Sequence, residues 1–150
     1  MSPQLYFIVL NSDIKKRIIC DLTEKCYNES KKIVLYVQKP EEAEQLDNVL
    51  WTWKQSSFIP HVYVSCMDRT YPEPVVITND IAENSDFQIL LMVNPSPGDI
   101  IQKFRKVIDF AEKYDVRLLE ASRERFRAYK AQNVNIHTLQ PGEFMQMNLD

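Results

Sequence analysis

The stretch 4–17, "QLYFIVLNSDIKKR", decides how this chain is to be read. Its first half is short, apolar and rich in β-branched and aromatic residues, which predicts a buried strand. Its second half predicts a helix, with Asn11 or Ser12 as cap and Ile14, Ile18, Ile19, Leu22 and Cys26 as the inward stripe. No glycine separates the two. A strand-to-helix turn that cradles phosphate needs glycine, so that the backbone can approach the anion. The chain has two glycines, Gly98 and Gly142, and neither follows this strand. The stretch therefore predicts a nucleotide-binding-like layering without a phosphate loop, and no nucleotide cofactor.

The same alternation continues. "KIVLYVQ" (32–38), "HVYVS" (61–65), "VVITN" (75–79), "DFQILLMV" (86–93) and "VNIHTL" (134–139) predict further strands. Pro40, followed by Glu41 and Glu42, predicts a helix start, with Ala43, Leu46, Leu50 and Trp53 turned inward. "NPSPGD" (94–99) reads as a turn capped at Ser96. After it, "DIIQKFRKVIDFAEKY" (99–114) has the spacing of an amphipathic helix, with Ile100, Ile101, Phe104, Val107, Ile108 and Ala111 on one face. A second helix covers 116–132, after a break near Tyr114 and Asp115. Strand–helix alternation implies a single α/β domain over residues 1–139, with a mixed, mostly parallel sheet flanked by helices. Residues 140–150 read as a weakly ordered tail.

A chain of 150 residues is the size of one domain and can bury a core without a metal or disulfide. Its net charge of −3 argues against avid, non-specific DNA binding. It contains no apolar run long enough to span a membrane, and the N-terminus lacks the pattern of a signal peptide. Its three cysteines, Cys20, Cys26 and Cys66, form no C-x-x-C and suit buried thiols in a reducing, cytoplasmic setting.

Catalytic constellations are missing. The histidines are His61 and His137, with no paired cysteines, so no metal site is expected. There is no G-x-S-x-G elbow. Glu41 with Glu42, and Glu83 with Asp86, sit in polar stretches that read as solvated faces. The chain is expected not to be an enzyme.

What remains is surface. On a helical wheel with Leu119 at zero, Lys130 falls at about 20°, Arg123 at about 40° and Arg127 at about 80°. Phe126 lies at about −20°, with Leu118 and Tyr129 further round, and Arg125 on the opposite flank. A basic stripe against an apolar edge suits an acidic peptide with an aromatic or aliphatic anchor. The plain alternative is a solvated helix face with its stems lying on the core. Trp51 falls about 100° from Leu50, beyond the buried stripe. It is either partly exposed, where tryptophan is enriched in binding hot spots, or turned inward by a helix that ends before it.

Two blocks, "LDNVLWTWKQSSFIPH" (46–61) and "RERFRAYKAQNVNIHTL" (123–139), resemble in order and spacing the chi subunit family of bacterial DNA polymerase III. The resemblance implies a small α/β domain without a nucleotide, serving as a non-catalytic accessory subunit in DNA replication. It implies a 1:1 pairing with the psi subunit of the clamp loader. It also implies a grip on the acidic, phenylalanine-terminated tail of single-stranded DNA-binding protein. By this match Trp51, Arg123, Phe126 and Arg127 hold the tail, with Lys130 beside them. A position one turn earlier that is sometimes basic in the family is Leu119 here. Phe58, Pro60, His61 and Ala111 are the expected psi-facing residues. The alternatives are a chi-like adaptor for a helicase or repair protein, and a nucleotide-binding enzyme on the same sheet.

Overall fold

A computed structural model describes residues 2–84, 86–96 and 100–150. Its strands are β1 (Gln4–Leu10), β2 (Ile33–Tyr36), β3 (His61–Val64), β4 (Val75–Thr78), β5 (Ile89–Met92), β6 (Lys106–Glu112) and β7 (Asn135–Leu139). Its α-helices are α1 (Lys15–Asn28), α2 (Pro40–Thr52), α3 (Val116–Ala131) and α4 (Pro141–Met145). The strands form one sheet in the order β3-β4-β2-β5-β6-β1-β7. Every pairing is parallel, so the antiparallel share expected of a mixed sheet does not occur. Most connections have the dozen or more residues that a parallel crossover usually needs; 65–74 and 79–88 are shorter, at ten residues each.

Successive strand residues face opposite sides, and this divides the core in two. Tyr6, Ile8, Leu10, Leu35, Ile108 and Phe110 pack with Ile19 and Leu22 of α1, Leu46 and Leu50 of α2, and Phe144 of α4. Leu5, Phe7, Val34, Tyr36 and Val107 pack on the other face with Met67, Phe87 and Phe104 from loops, Ile101 from a 3₁₀ turn and Tyr129 from α3. So α1, α2 and α4 cover one face and α3 covers the other.

The largest departure from the sequence reading lies in residues 99–114. In place of one amphipathic helix there is a short 3₁₀ turn, Ile100–Lys103, and then β6. The reason is burial on both sides. β6 lies between β5 and β1, so Val107 enters one core and Ile108 the other. A strand buried on both faces is apolar at both parities, and a short run of that kind matches helical spacing by coincidence. Ser96 is expected to cap a helix that, from Ile100 on, is the 3₁₀ turn. Its hydroxyl sits 3.1 Å from Met92 Sδ instead. Pro97, Gly98 and Asp99 of the predicted turn lie outside the described residues.

Two helix starts also separate. Pro40 opens α2 with Glu41 and Glu42 in its first turn, as its sequence predicts. In α1 neither Asn11 nor Ser12 caps. Ile14 holds the N-cap position without a side-chain bond and is 41% exposed.

Residues 140–150, expected to be weakly ordered, are packed. Gln140 and Glu143 form a capping box at the start of α4. Phe144 and Leu149 are buried. Lys25 Nζ donates to the Met147 carbonyl (2.6 Å) and Lys106 Nζ to that of Leu149 (2.8 Å). Phe144 and Leu149 are five residues apart, at neither the helical nor the strand spacing, which hid the packing from a periodicity argument.

Candidate functional site

α3 is positioned by polar anchors. Asp115 caps it, accepting from the backbone N–H of Arg117 (2.9 Å) and Leu118 (3.0 Å). Ser122 is buried against β6, where its Oγ accepts from Glu112 N–H (3.4 Å). Asp109 of β6, 2% exposed, receives Arg125 Nε (2.9 Å) and the Tyr129 hydroxyl (2.8 Å). Burial, with the Asp109 carboxylate beside it, raises the Tyr129 phenol well above its ordinary range. The anchors occupy the underside of the helix, which leaves Leu119 and Phe126 to the side.

There they form an apolar groove with the sheet. It is lined by Phe7 of β1, Ala111 of β6, Thr138 of β7, and Leu119, Ser122, Arg123 and Phe126 of α3, with a volume of about 130 Å³. An apolar cavity of about 150 Å³ suffices to take a benzene ring. Phe7 and Phe126 line it with ring centroids 6.2 Å apart. Arg123 stands at the lip. Arg123 Nη1 and Arg127 Nη2 each lie 3.7 Å from the Glu120 carboxylate. Lys130 Nζ sits 5.6 Å from the Phe126 centroid. The predicted basic stripe and its apolar edge are thus side by side.

Trp51 is elsewhere. It is 46% exposed, near the end of α2, and its ring lies 4.2 Å from that of His61 and 5.5 Å from that of Phe58. Phe58 is 68% exposed, and Pro60 is half-buried nearby in sequence. His61 begins the edge strand β3. Its Nδ1 lies 2.7 Å from the Ile59 carbonyl and its Nε2 3.0 Å from the Asp47 carboxylate, which fixes the ring under Trp51. Four inter-strand steps separate β3 from β6, or roughly 19 Å at the usual spacing. α2 and α3 also cover opposite faces.

The site residues therefore regroup. Trp51 joins Phe58 and His61, not Arg123 and Phe126. Ala111, expected to face psi from the end of a helix, lies in the α3 groove, because its segment is a strand of the sheet and not a helix. Phe7 and Thr138 line the groove and were not among the predicted residues. β1 is apolar at both parities, so its sequence does not say which face Phe7 joins.

Other chemistry is sparse among the described residues. No group of three or more His, Cys, Asp or Glu is placed to hold a metal. Burial pushes the Cys20 and Cys26 thiols up to about 12, far from a reactive thiolate. Where β1 passes into α1, Lys15 Nζ is 3.1 Å from Glu112, whose other oxygen accepts from Tyr114 (2.6 Å). A wider cleft between α1 and α2 is lined by Lys16, Arg17 and Lys54 but also by Asp21, and Lys54 is paired with Glu24. Among the described residues no helix is long and apolar enough to cross a membrane.

Comparison with solved structures gives the fold a neighbour. The C-terminal domain of S. cerevisiae Dbp5, solved with Gle1 and IP6, superposes with a TM-score of 0.61 over 97% of this chain and 96% of that one, at 12% identity. That likeness concerns the fold alone. Among curated proteins, DNA polymerase III subunit chi of Escherichia coli is 24% identical over 123 residues, 82% of this chain and 83% of the relative. The same subunit of Haemophilus influenzae is 27% identical over 139 residues, 91% and 95% of the two chains. The family model for the DNA polymerase III chi subunit, HolC, matches residues 2–137. The chain, with its all-parallel sheet and its groove under α3, belongs to the DNA polymerase III chi subunit family.

Proposed function

We propose that this protein is a non-catalytic adaptor of the cytoplasmic replication machinery that holds two protein partners on two separate surfaces. The groove under α3 takes the acidic, phenylalanine-terminated tail of single-stranded DNA-binding protein. The edge formed by Trp51, Phe58, Pro60 and His61 takes the psi subunit of the clamp loader, in a 1:1 pair. Membership of a polymerase III subunit family supports the setting.

The observation that carries the reading is the ring-sized apolar groove with Arg123 at its lip and Arg127 and Lys130 along the same helix. A terminal aromatic ring fills the groove, and guanidinium forks take the carboxylates that precede it. Leu119, at the position that is sometimes basic in the family, adds apolar wall in place of a further cation. The exposed pair Trp51 and Phe58 carries the second surface, since a large aromatic left in water on a folded domain marks a contact site.

The test is a fluorescence titration of a labelled peptide, several aspartates followed by a C-terminal phenylalanine, against the wild type and Arg123→Ala. Binding that weakens roughly tenfold in the variant supports the site. No saturable binding by the wild type removes it.

A further inference from the structure

The two arginines at the groove are already engaged. Glu120 lies 3.7 Å from both Arg123 Nη1 and Arg127 Nη2. On the helical wheel it falls at about 100°, further from the groove than either arginine. Its carboxylate therefore draws both guanidiniums outward, to the solvent side of the stripe. All three side chains are more than half exposed: 61% for Arg123, 64% for Arg127 and 54% for Glu120. At that exposure such pairs are loose and readily exchanged. Lys130, by contrast, has no carboxylate within ion-pair distance among the described residues and leans on Phe126.

We propose that Glu120 is an internal competitor for the groove: its carboxylate stands in for the first acidic residue of the incoming peptide and must give up Arg123 and Arg127 before the peptide is held. This rests on the acidic-peptide reading of the groove and adds a residue that sets its affinity and its selectivity for strongly acidic ligands. A ligand that brings one carboxylate exchanges one pair for another and gains little. A ligand with several replaces both contacts and keeps a surplus for Lys130.

The experiment compares the wild type, Glu120→Gln and Glu124→Gln in the same titration with the aspartate–phenylalanine peptide. Glu124 is exposed, one turn along the same helix, and falls at about 140° on the wheel, away from the groove. Both variants remove one negative charge, so only position distinguishes them. Glu120→Gln is expected to tighten binding about three- to tenfold, with the gain shrinking as salt is added. Glu124→Gln is expected to stay within about twofold of wild type, as a distant screened charge should. Equal effects in the two variants, or no gain in Glu120→Gln while the wild type binds, overturn the competitor role and leave the groove standing. Absence of wild-type binding removes the groove reading and this inference together.

Discussion

Arg125 holds α3 to the sheet through Asp109. Its Nε lies 2.9 Å and its Nη2 3.2 Å from the two oxygens of a carboxylate that is almost fully buried, and Nη2 reaches the Phe110 carbonyl as well (3.0 Å). The wheel put Arg125 on the flank away from the peptide and gave it no part in binding. The structure gives it a different one. It orients the helix that carries Arg123 and Phe126.

Arg125→Ala is therefore expected to be a stability mutant. It strands a buried carboxylate, which typically costs about 3–5 kcal/mol. Chemical denaturation should show a midpoint far below that of the wild type, and Arg125→Lys an intermediate one, since lysine keeps the charge but loses the fork. A midpoint for Arg125→Ala equal to that of wild type contradicts the anchor.

Removing the C-terminal segment should also destabilise. Phe144 packs edge-on against Tyr6 with centroids 5.6 Å apart and is 1% exposed. Phe144→Ala is expected to cost about 3–5 kcal/mol, as for other large-to-small changes of buried aromatic residues. A chain ending at residue 139 should lose at least as much. Urea unfolding of both against wild type checks this, and an unchanged midpoint contradicts the packed tail.

Stability should fall on the acid side through Glu29. Its carboxyl is held below the usual range, chiefly by the hydrogen bond from Lys25 and also by the Leu149 N–H. A depressed folded-state pKa gives stability that is present above the unfolded value and lost as pH falls through the folded one. Glu29→Gln should therefore flatten the acid limb of a stability-versus-pH curve, with little change in that limb if the carboxylate is unimportant.

Much of this fold was legible because it follows from short-range chemistry. Pro40 and its acids begin α2 where they should, and α3 begins after the break expected near Tyr114 and Asp115. The alternation of apolar runs with helical stripes pointed to the layered α/β domain that the structure has. Residues 99–114 misled because β6 is apolar at both parities, and only its place between β5 and β1 explains that pattern. For the groove, the helix-borne half was readable from the α3 wheel. Phe7 and Thr138 were not, since they arrive from strands at the two ends of the sequence. The wheel left Trp51 either exposed or turned inward, and it is exposed; yet one helix wheel cannot say which other surface an exposed side chain adjoins. That is a property of strand order.

The same strand order makes the last prediction. Trp51→Ala and Phe58→Ala should weaken the psi complex at least tenfold and leave peptide affinity within about twofold of wild type. Arg123→Ala should do the reverse.

The most direct measurement of the adaptor claim is the affinity of the aspartate–phenylalanine peptide for the chain alone and for the purified 1:1 complex with psi. The two surfaces lie on opposite faces of the sheet and about four strands apart, so the two dissociation constants should agree within about twofold, and a ternary complex should be recovered by size exclusion. Displacement of the peptide by psi, or loss of both partners in Trp51→Ala with the domain still folded, would show that one surface serves both and contradict the account.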